Sequence, residues 1–296
     1  MEVLIAGASG LIGTELTRQL EAAGHTALRL VRREPRNNAE FRWDPGIMRV
    51  DIGVIGRVDA IVNLSGASLN RLPWTPRYRR TILESRVHGT RTLTDAIRRV
   101  SSAPEVLINA SAVGYYGSRP GEELTENSPI GAGFLADVVK IWEREAALAL
   151  ASTRAVSLRT GIVLAREGAL APLIPVTKLG LAGPLGSGRQ HWPWISLHDE
   201  AAAIVHLLTS TLAGPVNLAG PTPATANEVM KSLADALHRP FLLPVPSPLI
   251  TLALQDAGRD LLLADQRVSP AHLQADGFEF THRTAREAVT WMLTES

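Results

Sequence analysis

Three glycines spaced three apart, Gly7, Gly10 and Gly13, follow the apolar run Val3-Leu4-Ile5-Ala6 and precede Thr14-Glu15-Leu16-Thr17-Arg18-Gln19-Leu20. The run reads as a buried strand, and Leu11, Leu16 and Leu20 fall on one side of a helix. A strand that turns through glycine into a helix start can take a pyrophosphate, because bare backbone approaches closely and free N–H groups point outward. Gly7, Ala8, Ser9, Gly10, Leu11, Ile12 and Gly13 are therefore candidate cofactor-binding residues. The spacing G-x-x-G-x-x-G matches the general dinucleotide fingerprint in kind, not in letter. A purely structural turn is the plainer alternative.

Two further places could do chemistry. The next strand, Ala27-Leu28-Arg29-Leu30-Val31, ends in Arg32-Arg33, with Arg32 nineteen residues beyond Gly13. An acid at such a strand end binds a ribose 2′-hydroxyl, whereas arginine suits a 2′-phosphate, so the chain is expected to take NADP(H) over NAD(H). The other reading makes both arginines solvated surface charges. Farther on, Glu105-Val106-Leu107-Ile108-Asn109-Ala110-Ser111 runs as a strand into Ser111, with Tyr115 and Tyr116 just beyond. Hydroxyls at the carboxyl edge of a sheet can bond a substrate carbonyl or alcohol. Otherwise the serine satisfies backbone and the tyrosines pack.

The elements that must position these residues alternate. Val58-Asp59-Ala60-Ile61-Val62-Asn63 is a strand whose end, Leu64-Ser65-Gly66-Ala67, is small enough for a cofactor to lie against it. Helices are expected over 75–100 and 134–150, a further strand over 155–164, and a hairpin-like excursion over 41–50. Strands alternating with helices predict an α/β, Rossmann-type, doubly wound parallel sheet. Residues 1–164 would form the NADP-binding domain, joined by returns from about 190–220. Residues 165–296, rich in Gly and Pro at first, would form a small mixed C-terminal substrate-binding cap.

Bulk properties narrow the partners. Of 296 residues 45% are hydrophobic and 20% charged, and 30 basic against 29 acidic side chains leave a net charge of +1. That balance argues against nucleic-acid and membrane partners and leaves a small molecule. There is no cysteine, which excludes disulfides and thiol chemistry. No apolar run reaches spanning length, and a strand starting at residue 2 leaves no basic leader, so a cytoplasmic protein is expected. Monomer and homodimer stay equally open.

Gly7, Gly10 and Gly13, the strand end Asn63 to Ala67, the run Ser111 to Gly117, and Trp192, Ile195, His198 and Asp199 together resemble the short-chain dehydrogenase/reductase superfamily, extended type. Ser85-Arg86-Val87, Trp142-Glu143 and the tail 267–280 look like its "epimerase family" branch, which carries a C-terminal domain of unknown function. The resemblance implies that Ser111 holds the substrate oxygen and that Lys140 binds the nicotinamide ribose. The tyrosine that precedes that lysine by four in the superfamily is Ala136 here. Arg86-Val87-His88-Gly89-Thr90 stands where an Asn-Val-x-Gly-Thr run is usual. Tyr115 or Tyr116 is then the candidate proton donor, with His191 and His198 as further bases to consider. The resemblance implies an NADP(H)-dependent oxidoreductase or epimerase on a small polar, sugar-like substrate; alternatively, a catalytically inactive NADP(H)-binding redox sensor or regulatory protein.

Overall fold

The computed structural model describes residues 1–294. The chain runs β1 (Glu2–Ala6), α1 (Leu11–Ala22), β2 (Thr26–Val31), β3 (Glu40–Asp44), β4 (Arg49–Val50), a short α2 (Ile52–Ile55), β5 (Ala60–Asn63), α3 (Pro76–Ile97) and β6 (Val106–Ala112). It continues with β7 (Glu123–Leu124), α4 (Phe134–Ala147), β8 (Arg154–Thr160), β9 (Ile162–Leu164), α5 (Leu173–Lys178), β10 (Trp194–Ser196), α6 (Leu197–Thr209) and β11 (Gly214–Leu218). The tail adds α7 (Ala226–Ala236), α8 (Ser247–Gly258), a π-helical turn (Arg259–Leu263), β12 (Arg267–Val268), α9 (Ala271–Ala275) and α10 (Ala285–Thr294).

The main sheet has the order β11-β8-β6-β5-β1-β2-β3-β4, with every pair parallel except β3 and β4. Its strands alternate between two buried faces, as a parallel sheet covered on both sides requires. Val3 and Ile5 meet Leu16 and Leu20 of α1 and Ile204 and Leu207 of α6. Leu4 and Ala6 turn the other way, toward Leu93 and Ile97 of α3. The chain reverses direction across the sheet at β1, whose neighbours are β2 and β5, and this opens a crevice beyond their carboxyl ends.

Two expectations about strands need correction. The stretch over 41–50 is a hairpin, but β3 pairs in parallel with β2 and so extends the main sheet instead of leaving it. The strand expected over 155–164 breaks at Gly161. Its N–H bonds Leu218 O (2.9 Å) in the main sheet, whereas Ile162 N–H bonds Pro193 O (2.6 Å) and starts a second sheet with β10. A Cβ at Gly161 would lie 1.9 Å from Pro193 O, so only glycine permits the crossing.

The C-terminal region has its own apolar cluster, in which Trp192 and Trp194 pack with Val229, Leu233, Val289 and Met292. A buried clasp at the start of α6 ties the tail down. Ser196 Oγ donates to Asp199 Oδ2 (2.8 Å), and the Asp199 carboxylate accepts the backbone N–H groups of Thr281 and His282 (2.9 and 3.0 Å). Among the described residues no helix is long and apolar enough to cross a membrane.

Glu200, next to this clasp, is wholly buried. Thr160 Oγ1 donates to its Oε1 (2.8 Å), while Oε2 is buried without a partner among the described residues. Burial pushes the carboxyl up to about 8, with the Thr160 bond opposing. In the unfolded chain it titrates near about 4.3. Between those values the folded chain holds a proton that the unfolded chain has released, so this group's contribution to stability falls as pH rises from about 4.3 to about 8. Glu200→Gln is expected to remove that slope. Its melting temperature should match the wild type near pH 5 and exceed it at pH 8; a constant difference at both would show that Glu200 does not titrate on unfolding.

Candidate active site in the crevice

The glycine turn at the end of β1 is built for close approach. Gly7 has φ +88°, and a Cβ there would lie 2.9 Å from the carbonyl of Leu64. A Cβ at Gly13 would lie 2.3 Å from Gly7 O, so α1 begins hard against the turn. Gly10 N–H bonds Gly7 O (3.0 Å), and Gly10 caps α1 without a side chain. The N–H groups of Leu11, Ile12 and Gly13 therefore point out of the helix start, with no intrahelical acceptor. Ala8 and Ser9 complete the turn.

The strand end at β2 separates its two arginines. Arg33 donates two hydrogen bonds to the Glu40 carboxylate (2.7 and 2.6 Å), which also accepts the Arg36 backbone N–H (2.7 Å). Arg33 and that N–H hold the Glu40 carboxyl down at about 2. Arg32 is exposed, with no hydrogen-bond or ion-pair partner among the described residues. The Arg36 side chain is also exposed, a position that sequence reading passed over because it follows the strand by several residues.

Beyond β5, Leu64, Ser65, Gly66 and Ala67 line the next part of the crevice edge. Their backbone is held by buried amides. Asn63 Nδ2 donates to Asn109 Oδ1 (2.7 Å) and Thr90 Oγ1 (3.1 Å), while Asn63 Oδ1 accepts Ser65 Oγ (2.6 Å). Ala67 N–H donates to Ser85 Oγ (3.0 Å), and the Arg86 guanidinium donates to Ala67 O (3.1 Å).

Ser111 stands at the end of β6, in register with Arg159 on β8. Its Oγ donates to Glu143 Oε1 (2.6 Å). Glu143 also takes a two-pronged bond from Arg159 (2.9 and 2.9 Å). Arg159 Nη1 donates to the Tyr116 hydroxyl (3.0 Å) and to Glu126 O (3.1 Å), and that hydroxyl donates to Asn217 Oδ1 (2.6 Å). Burial pushes the Tyr116 phenol up to about 12. Tyr116 is therefore locked in the core, whereas half-buried Tyr115 lays its ring 3.6 Å from the Arg159 guanidinium carbon.

On α4, Ala136 is buried and Lys140, one turn on, is exposed with no hydrogen-bond or ion-pair partner among the described residues. Glu143 follows at i+7 from Ala136, which puts it on the same side of the helix. That spacing was the signal available in sequence for its part in the site. The two histidines serve the tail and the helix layer. His191 Nδ1 bonds Asp265 (3.0 Å), and His198 lies against Gln19, His282 and Trp291. Both crevice-side tryptophans belong to the core, with their N–H groups bonded to Leu262 O and Thr222 O.

A cavity of about 120 Å³ lies beside Ala136, lined also by Gly114, Gly117, Asp260 and Gln266. That is about an order of magnitude more than the ~10–15 Å³ one water needs. Gln266 spans the turn after β6, donating to Val113 O and Gly117 O (2.9 Å each). Asp260, presented by the π-helical turn, keeps Oδ2 buried without a partner among the described residues. Burial raises its carboxyl, and the Leu135 N–H at the start of α4 opposes that. Neither residue was legible beforehand, since each lies more than a hundred positions from the strand end it faces.

The chain matches the NAD dependent epimerase/dehydratase family over residues 3–219 and a domain of unknown function over residues 245–292. It is 41% identical to epimerase family protein Mb2239 of Mycobacterium bovis over 295 residues, 99% of this chain and 97% of that one. The crystal structure of human epimerase family protein SDR39U1 (isoform 2) with NADPH superimposes with a TM-score of 0.92 at 30% identity, covering 100% of both chains. A nucleoside-diphosphate sugar epimerase from Corynebacterium glutamicum aligns at 29% identity and a TM-score of 0.80, over 99% of this chain and 58% of that one. With the glycine turn, the parallel sheet and the whole length of the chain accounted for, this protein belongs to the NAD dependent epimerase/dehydratase family.

Proposed function

We propose that the chain is an NADP(H)-binding oxidoreductase or epimerase acting on a small polar, sugar-like molecule. What supports this best is the alignment, along one sheet edge, of a glycine cradle, an unpaired arginine and a buried serine. The residues fit the cofactor. Bare backbone at Gly7 and Gly13 lets the turn pack hard against the end of β5 and the start of α1, and the N–H groups of Leu11, Ile12 and Gly13 at that helix start are left to receive a diphosphate. Arg32 would meet the 2′-phosphate, Leu64 to Ala67 would flank the other half, and Lys140 would take the nicotinamide ribose. The human relative's structure with NADPH supports the choice of nucleotide.

When bound, the cofactor supplies the hydride donor or acceptor. Ser111 would hold the substrate oxygen by turning its hydroxyl proton from Glu143 toward it, and Tyr115 or a water would exchange the proton. The cavity beside Ala136, with Asp260 and Gln266 in its lining, offers polar groups to a substrate rich in hydroxyls. A second reading, a nucleotide-binding redox sensor without turnover, draws support from Ala136, which has no proton to exchange, and from the buried, doubly bonded Tyr116 hydroxyl. NADPH oxidation with a panel of aldehydes and ketones separates the two. Turnover that vanishes in Ser111→Ala supports the enzyme; a wild type silent both in this assay and in NMR-followed epimerisation of sugar nucleotides supports the sensor.

Arg32→Ala is expected to weaken NADPH binding about tenfold or more, the scale of one charge-assisted bond, and to leave NADH binding nearly unchanged. Fluorescence titration of both nucleotides measures this, and undiminished preference for NADPH would sink the cofactor assignment. Glu143→Gln leaves Arg159 buried without its counter-charge and is expected to cost about 3 kcal/mol. Ser111→Ala removes one bond and should cost about 1 kcal/mol. Urea unfolding midpoints compare the two; equal losses would mean that Glu143 acts on the fold only through Ser111.

A further inference from the structure

Arg86 has no carboxylate partner, a condition it shares with Arg154, whose guanidinium donates to the carbonyls of Leu207, Leu208 and Leu212. Arg159 has Glu143, Arg91 has Glu145, Arg79 has Asp256 and Arg33 has Glu40. Arg86 has only neutral partners. Its Nη1 donates to Ala67 O (3.1 Å) and Ile82 O (3.0 Å), and its guanidinium carbon lies 5.1 Å from the centre of the Trp142 ring. A Cβ at Gly66 would lie 3.4 Å from that carbon, so the charge sits directly beneath the loop that follows β5. Burial draws the guanidinium down to about 10, which leaves it cationic at neutral pH.

Its place relative to the crevice gives this charge a consequence. A dinucleotide on such a sheet lies across the point where strand order reverses, one half on each side. Arg32 marks the β2 side for the adenosine half, so the β5 side, over Gly66 and Ala67, takes the nicotinamide half. The phosphates carry the same charge in NADPH and NADP+, and their attraction to Arg86 cancels when the two are compared. The ring does not cancel, being cationic in NADP+ and neutral in NADPH. A half-buried cation without a counter-ion acts on that difference alone.

Resting on the cofactor reading above, we infer that Arg86 biases the crevice toward NADPH over NADP+, so that the bound nucleotide is held ready to reduce a carbonyl. The loop contact by itself does not require a charge, since any amide donor can reach Ala67 O. An epimerase that keeps its cofactor oxidised between turnovers would be poorly served by the same cation. Arg86 is thus assigned to the direction of the reaction as a positioning residue for cofactor charge, with no contact to the reacting atoms.

Calorimetric titration with NADPH and with NADP+ at one ionic strength tests this in the wild type, Arg86→Lys, Arg86→Gln and Arg86→Met. The wild type should bind NADPH at least about tenfold more tightly than NADP+. Arg86→Gln and Arg86→Met should narrow that ratio about tenfold, and Arg86→Lys should keep it. Equal wild-type affinities overturn the inference whether or not any variant folds. A wild-type ratio in Arg86→Gln, or a loss in Arg86→Lys as large as in Arg86→Gln, also overturns it. A wild type that binds neither nucleotide instead overturns the cofactor reading on which it rests.

Discussion

Arg159 is buried to 3% exposure, and the crevice is arranged around keeping its charge satisfied. Taking a guanidinium out of water costs several kcal/mol, and the loss is offset only where its donors find acceptors in good geometry. Glu143 on α4, the Tyr116 hydroxyl after β6 and the Glu126 carbonyl before α4 meet that demand, with the Tyr115 ring against the planar face. Tyr116 hands the network on to Asn217 on β11, and Glu143 hands it back to Ser111 on β6. Four elements that the chain visits at widely separated positions are thereby fixed against one another. The orientation of Ser111 is a by-product of that demand, which explains why a small hydroxyl at a strand end is so firmly aimed.

Legibility in the sequence follows the range of the forces involved. The glycine turn could be read because its logic is local. Strand, turn and helix start lie within a dozen residues, and the need for bare backbone at Gly7 and Gly13 is visible as residue type. The parallel sheet could be read from the alternation of apolar strands and helices, because each βα unit announces itself alone. The break at Gly161 could not, since the atom that excludes a side chain there, Pro193 O, arrives from another element. Arg33 shows the same limit: its type fits a phosphate, and only the fold brings Glu40 close enough to occupy it.

The position of Ala136 was visible as an absence, and what stands around it was not. With no aromatic ring on that turn of α4, the space beside it is a cavity bordered by the tail, through Asp260 and Gln266. Asp260 lies at the start of α4, where the helix dipole favours an anion, yet its burial opposes one. The strained approach supports a placed group. Gln255 adopts φ +52° just before the π-helical turn, an irregular backbone in an otherwise helical stretch. The tail therefore does more than cover apolar surface: it supplies the polar wall of the cavity beside Ala136, with Arg259, Asp260 and Gln266.

The cations along the crevice then fall into two groups with different physics. Arg32 and Lys140 are exposed, so their attraction for a phosphorylated ligand is screened over about 8–10 Å at ordinary salt. With a net charge of only +1, the protein as a whole adds little long-range pull, and these exposed groups must act at contact. Arg86 is half-buried beneath the loop and beside the Trp142 ring. On the assignment proposed above, its influence on the nucleotide ring would be screened less than the contacts of the exposed pair. Affinity would then rest on Arg32 and Lys140, and preference for redox state on Arg86.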